Sequence, residues 1–280
     1  MSGIIIASDE LRAEVDGSLS VCAPLDPKDF PDWERLLTDE NDPRNFLRNE
    51  WQKENDCNAN SSTTGNEVIE KRRKGKAGEQ SRMFVYQGTE IIDGKLGQNT
   101  GTSVPAAVKL LKDQGAPLEI EYPYSQYTRN RQQFDRWNTP AIKASAATRR
   151  ISGAIVAPSF AEAKIHLALG NPIHWGHFWG LSFRTEEIVP GLTARVCRQY
   201  RRSHGSSGHA TEVVWPVLTA RGEWLFWVAN SHNDKGFFIS EAAYEEMRDR
   251  SYSPYGAYVL MGDESPHRQY EGQFNPMGID

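Results

Sequence analysis

The sequence predicts an α+β protein of two lobes, with helices in the front half and an antiparallel, barrel-like sheet in the back half. Three observations predict it. The stretch "GTSVPAAVKLLKDQG" places apolar residues at helical spacing between a start signal and a stop signal. After residue 150 the chain turns into short aromatic and β-branched runs split by Gly, Pro and Asn, which reads as sheet. Finally, 280 residues with 38% hydrophobic content and eight Trp can bury one large domain, or two lobes sharing an interface.

Residues 1–45 are rich in Asp and Pro and read as a strand, then an extended arm with one short helix near Asp32 to Leu37. From Ser61 to about Lys74 helix formers lead into a basic turn and Gly75, and cations at a helix C-terminus suit the dipole. "MFVYQGTEI" fits a second helix or a strand. In the next helix Ser103 or Thr102 can cap, Pro105 occupies the first turn, Val104, Val108 and Leu111 share a face, and Gly115 stops it. "APLEIEYPY" is extended by its prolines, and 125–136 is a polar stretch. "RISGAIVAPS", "NPIHWGHFWGLSF", "ARVCRQYR", "HATEVVWPVLTA", "EWLFWVANS" and "GAYVLMG" read as strands, interrupted by helices at Phe160 to Leu169 and Glu241 to Arg248. The expected organisation is an arm (1–45), one domain at 46–265 divided into a helical lobe (46–148) and a β-rich lobe (149–265), and a tail (266–280).

The net charge of −5 offers no electrostatic case for nucleic acid, and the basic runs at 71–76 and 198–202 read as solvated faces. No stretch approaches the roughly 18 to 20 apolar residues that span a bilayer. "MSGIIIASDELRAEVDG" lacks the basic start and apolar core of a secretory signal. Three cysteines (Cys22, Cys57, Cys197) cannot form an even disulfide framework, so a reduced compartment is expected.

Chemistry points first to Cys57. It stands in "WQKENDCNANSS", among polar residues at the start of a helix, where free N–H groups and the dipole favour thiolate. A thiol nucleophile needs a base and a group to orient that base. His209 follows a Gly-rich turn at the head of an apolar strand, and Asn230 ends the next one, so neighbouring strands would bring them together. Gln52 could join the Cys57 backbone N–H in an oxyanion hole. His204 is the alternative base, though exposure is expected for it. Cys22 and Cys197 read as structural. His174 and His177 are three apart, but aromatic packing suits them better than metal, and no cofactor is expected. "GSSGH" lacks the flanking strand and helix of a serine nucleophile elbow.

Four islands in order resemble the papain-like cysteine peptidases, particularly divergent bacterial and phage-type members. They are "QKENDCNANS", "NTGTSVPAAVKLLKDQGAPLEIEYPY", "GHATEVV" and "WLFWVANSHNDKGFFIS". The resemblance implies a papain-like two-lobe fold and cleavage of peptide bonds. Cys57 would be the nucleophile, His209 the general base and acid, Asn230 its orienter and Gln52 the oxyanion donor, with Gly101 lining the substrate backbone. The sequence departs from the pattern in places. The step from Gln52 to Cys57 is one position short, which makes Asn55 a substitute donor and Asp56 a residue that could fill the hole instead. Asn58 stands where a Trp commonly follows the nucleophile, and His232 where a Trp commonly shields the Asn–His pair. The segment before Cys57 is short for the usual inhibitory pro-region.

The expected partners are peptide or protein substrates, with no nucleic acid and no membrane span. The expected setting is bacterial or phage, cytoplasmic or virion-associated. Two alternatives stay open: an inactive papain-like module serving as a binding or structural part of an assembly, and a peptidoglycan endopeptidase.

Overall fold

The structure, a computed structural model, describes residues 4–17, 33–48, 51–179, 181–200, 207–232, 236–249 and 254–262. The expected tail at 266–280, the structural role of Cys22 and the alternative base His204 therefore lie outside the described residues. Helices come first. They are α1 (Asp9–Gly17), α2 (Cys57–Lys74), α3 (Arg82–Ile92), α4 (Val104–Asp113), α5 (Arg131–Trp137) and α6 (Pro140–Ala147), with short 3-10 helices at Trp33–Leu36 and Pro43–Asn45. Next follow β1 (Gly153–Val156), α7 (Phe160–Ala168), β2 (Ile173–Phe178), β3 (Phe183–Val189), β4 (Leu192–Cys197), β5 (Gly208–Leu218), β6 (Trp224–Ala229), β7 (Phe237–Ile239), α8 (Glu241–Arg248) and β8 (Ala257–Met261). The mixed α+β expectation holds.

The sequence signals act where they are local. In α4 the Ser103 hydroxyl accepts from the Ala106 N–H, Pro105 lies in the first turn, and Gly115 turns the chain away at φ +79°. "MFVYQGTEI" resolves as helix α3, started by Ser81, whose hydroxyl accepts from the Phe84 N–H. α2 begins at Cys57, the helix start expected there, four residues before the stretch of helix formers, and ends on the left-handed Gly75 at φ +70°.

Four elements go beyond the sequence reading. α1 replaces the expected extended arm, with Ser8 Oγ accepting from Leu11 N at 3.2 Å. α5 and α6 are short helices inside and beyond the polar stretch, capped by Asn130 and Thr139. β3 is an edge strand whose charges mask its alternation, and only Ile188 is buried near its end.

The strands form one sheet in the order β1-β8-β2-β5-β6-β7-β4-β3. Every named pair is antiparallel except β4 with β7, which is parallel because β5 and β6 intervene in the chain. Both faces of the sheet centre are buried. On β6, Phe226 and Val228 join the Trp175–Phe160–Tyr244 cluster under α7 and α8, while Leu225 and Trp227 join Trp215, Val196 and Phe238 on the other face. A third cluster lies under α2, α3 and α4 and reaches to Ala210, Tyr255 and Leu260. α2 packs against β5 and β2, so the helical half meets the sheet at the helix that begins with Cys57.

Candidate active site

Strand pairing brings His209 and Asn230 together. β5 and β6 run antiparallel with Glu212 opposite Ala229, so the residue after β6 meets the residues at the start of β5. His209 Nε2 lies 2.8 Å from Asn230 Oδ1. An amide oxygen can only accept, so this contact puts the proton on Nε2 and leaves Nδ1 with its lone pair. The neighbouring Ala210 N–H donates to Cys57 Sγ at 3.4 Å, which holds the sulfur beside the base-bearing strand.

The imidazole is boxed in by rings. His232 stacks on it with centroids 4.1 Å apart, and Trp179 meets it edge-on at 4.6 Å. Trp179, a residue the sequence reading passed over, thus joins His232 in shielding His209. Burial, then the nearby His232 and His177, hold the His209 pKa well below the usual imidazole value.

Cys57 departs from expectation. Its polar sequence neighbours suggest an open helix start, yet its side chain is fully buried (0% exposed). Burial pushes the thiol up to about 12, helped by the charge of Asp56 and only partly opposed by the Ala210 N–H. The physical reason is tertiary: Asn58 and Ser61, polar as they are, point into buried partners on other elements rather than into water. Burial thus disfavours both the thiolate at Cys57 and the imidazolium at His209.

The loop before Cys57 is organised by Tyr124 of "YPY". Its hydroxyl accepts from the Lys53 and Glu54 N–H groups at 3.1 and 3.3 Å and donates to Asp56 Oδ2 at 2.7 Å. Asp56 is buried, and its carboxyl turns toward Tyr124. The Asn55 side-chain amide donates to the Asn99 carbonyl, and its backbone N–H to Asn99 Oδ1 at 3.0 Å. Gln52 is tied beside Asn230: Ser231 Oγ donates to Gln52 Oε1 at 2.7 Å, the Gln52 N–H donates to the Ser231 carbonyl at 3.0 Å, and Gln52 Nε2 reaches the Glu54 carbonyl at 3.3 Å. Gly101 follows the left-handed Asn99 and is itself at φ +84°, a turn that brings Thr102 Oγ1 within 2.9 Å of Asn58 Nδ2.

A second buried network, also unforeseen, lies one turn further along α2. His174 Nε2 lies 2.8 Å from Asn58 Oδ1, His174 Nδ1 lies 3.0 Å from Glu212 Oε2, and Ser61 Oγ donates to Glu212 Oε2 at 2.9 Å. His174, Glu212 and Ser61 are each 5% exposed or less, so this Ser–His–Glu arrangement joins helix to sheet rather than facing substrate. His177 pairs with Thr211 Oγ1 at 3.1 Å and is held near 4 by burial. Among the described residues no group of three or more His, Cys, Asp or Glu could hold a metal ion. Cys197 is buried, and burial raises its thiol to about 11. No described helix is long and apolar enough to cross a membrane.

No family model and no curated protein matches the sequence. Solved structures do match. Xylellain, a cysteine protease from Xylella fastidiosa, is 17% identical, with 93% of this chain and 96% of that chain covered and a TM-score of 0.58. Bromelain from Ananas comosus, solved with the E64 inhibitor, is 13% identical over 79% and 98% of the two chains, with a TM-score of 0.54. Digestive procathepsin L 3 from Tenebrio molitor is 13% identical over 77% and 66%, with a TM-score of 0.52. The chain therefore has the α+β fold of the papain-like cysteine proteases.

Proposed function

We propose that the protein is a papain-like thiol peptidase that hydrolyses peptide bonds through Cys57, His209 and Asn230, with its lobes divided near residue 149. One observation carries the reading: His209 Nε2 is held by Asn230 Oδ1 at 2.8 Å while the next backbone N–H rests on Cys57 Sγ at 3.4 Å. In this mechanism the thiol proton passes to His209 Nδ1 as sulfur attacks the peptide carbonyl. The oxyanion is met by the Cys57 N–H and by the second hydrogen of the Gln52 amide, whose first is given to the Glu54 carbonyl. Nδ1 then gives its proton to the leaving amine, and a thioester forms. Water, deprotonated by the same nitrogen, releases the acid and restores the thiol. Asn230 keeps the ring in register and stabilises the imidazolium. The substrate is a peptide or protein. A reduced bacterial or phage setting suits Cys57 and Cys197, which are both free.

A second reading, an inactive papain-like module in an assembly, is favoured by one observation: the thiol is wholly buried and its pKa is near 12. A thiol-directed epoxide and a mixed peptide library separate the two. An active enzyme should gain the epoxide's mass on Cys57 and yield products that Cys57→Ala does not. Identical product profiles from the two proteins reject the peptidase.

A further inference from the structure

The residue after the nucleophile is gripped from two sides by a chain of hydrogen bonds, and the chain's direction follows from one end. The Asn58 side-chain amide donates to the Ser103 carbonyl at 2.8 Å and to Thr102 Oγ1 at 2.9 Å. A carbonyl only accepts, so the Asn58 NH2 faces this wall and Oδ1 faces the other way, 2.8 Å from His174 Nε2. Oδ1 accepts in its turn, which puts a proton on Nε2. His174 Nδ1 meets both Glu212 Oε2 and Ser61 Oγ, each at 3.0 Å.

Nδ1 decides the charge of the network. A second proton there would set an imidazolium against a carboxylate where both side chains are fully buried (0% exposed). Glu212 Oε1 has no hydrogen-bond partner among the described residues, so a carboxylate would be dry on one side. A neutral carboxyl fits the geometry instead: Oε2–H donates to Nδ1, and Oε2 accepts from Ser61 Oγ at 2.9 Å. Burial raises the Glu212 pKa, and the contacts with His174 and Ser61 oppose it.

The network also stands where it can aim the candidate site. Asn58 takes the position where a Trp commonly follows the nucleophile, so directed bonds replace an apolar contact. Its wall partners come directly after Gly101, the residue expected to line a bound peptide. On the sheet, His174 and Glu212 are cross-strand partners, and Ala210, two residues before Glu212, gives its N–H to Cys57 Sγ. On α2, Cys57, Ser61 and Gly65 repeat every four residues and meet the same strand. Apolar burial has no direction and resists rotation of a helix weakly, whereas hydrogen bonds fix an angle.

We infer that His174, held by a neutral Glu212, is a positioning residue: through Asn58 it sets the turn carrying the Cys57 N–H against the wall that follows Gly101. The effect on turnover rests on the peptidase reading, while the bonding pattern stands apart from it.

The test compares full-length wild type with Glu212→Gln, Glu212→Leu and His174→Gln. Glu212→Gln keeps the shape of a neutral carboxyl, and its NH2 can donate to both Nδ1 and Ser61 Oγ. Glu212→Leu removes that donor, and His174→Gln replaces two opposed ring nitrogens by one amide. On peptides that wild type cleaves, Glu212→Leu and His174→Gln should lower kcat about 10- to 100-fold with KM within about threefold, the scale of a misplacement of about 1 Å. Glu212→Gln should keep kcat and KM within about threefold of wild type. In protein labelled with 15N-cysteine, the Cys57 amide signal should move in the first two variants and hold in Glu212→Gln. In 15N-histidine spectra of wild type, His174 should be neutral with its proton on Nε2. An imidazolium at His174 overturns the inference, as does an unmoved Cys57 amide with unchanged kcat in folded Glu212→Leu and His174→Gln. So does a loss in Glu212→Gln as deep as in Glu212→Leu. If neither disrupting variant folds, the His174 spectrum and the kcat of Glu212→Gln decide. A wild type without turnover, whose Cys57 amide still moves in Glu212→Leu and holds in Glu212→Gln, rejects the peptidase reading and upholds the hold on the Cys57 turn.

Discussion

Asp56 and Cys57 stand side by side at the start of α2, and the Asp56 charge makes a Cys57 thiolate costlier. Burial pushes the Asp56 carboxyl up to about 6, with the Tyr124 hydrogen bond and the Arg82 charge only partly opposing it. The folded protein thus holds this proton more tightly than the unfolded chain, whose carboxyl has the ordinary value of 3.8. The stability tied to that proton is fully present below about pH 4, is lost as pH rises to about 6, and stays lost above it. The loss amounts to about 3 kcal/mol at neutral pH. Asp56→Asn keeps an acceptor for Tyr124 and removes the charge. It should raise the stability measured by urea denaturation at pH 7.5 by about 1–3 kcal/mol and leave it nearly unchanged at pH 4. The same substitution should speed Cys57 alkylation at pH 8, because the Asp56 charge helps hold the thiol up. Equal stabilisation at both pH values would show that packing, not ionisation, is responsible.

At the scale of elements, α2 is the joint between helices and sheet. It is polar in composition yet buried from Cys57 to Glu70, which is tolerable because Asn58, Ser61 and Asn66 find partners on other elements while Asn60, Ser62, Thr63 and Thr64 bond carbonyls one turn back. Gly65 marks the closest approach. A Cβ there would lie 2.1 Å from Glu212 Oε1 and 2.7 Å from its Cδ, and Glu212 cannot swing aside while bonded to His174 and Ser61. In a free helix Gly→Ala stabilises by about 0.5–1 kcal/mol. Here overpacking should reverse the sign, and Gly65→Ala should destabilise by about 1–3 kcal/mol in urea titration. Gly88 plays the same part between α3 and α4, where a Cβ would meet Leu110 Cδ2 at 2.8 Å. A neutral or stabilising Gly65→Ala would mean that the α2–β5 contact is looser than this geometry.

For the whole molecule, the three apolar clusters and the α2 network imply that helices and sheet unfold together. Five of the eight tryptophans, Trp175, Trp179, Trp215, Trp224 and Trp227, lie in the strand half, so tryptophan fluorescence reports mainly on the sheet. Far-UV circular dichroism reports mainly on α2 to α6. The two urea transitions should share one midpoint, as a cooperative unit requires. Separate midpoints would make the halves independent domains, with the candidate site between them dependent on docking.

Features encoded by neighbouring residues are legible in the sequence alone. Ser103, Pro105 and Gly115 delimit α4 because capping and turn geometry act within a few residues. The aromatic and β-branched runs "HATEVVWPV" and "WLFWVA" yield β5 and β6, and from them the meeting of His209 with Asn230. β3 escapes such reading because an edge strand carries charge on its open face. The α2 network escapes because nothing near Ser61 in sequence announces His174 or Glu212. Only tertiary structure decided the state of the candidate site. Desolvation depends on every atom packed around a group, so a cysteine set among Asp, Asn and Ser in sequence is sealed in the fold and holds its proton. The isoleucine run at residues 4–6 reads as a strand, but its partner at Thr102 and its seat between Gly176 and Gly208 come from distant parts of the chain. Such non-local contacts are set by packing, and no local pattern encodes them.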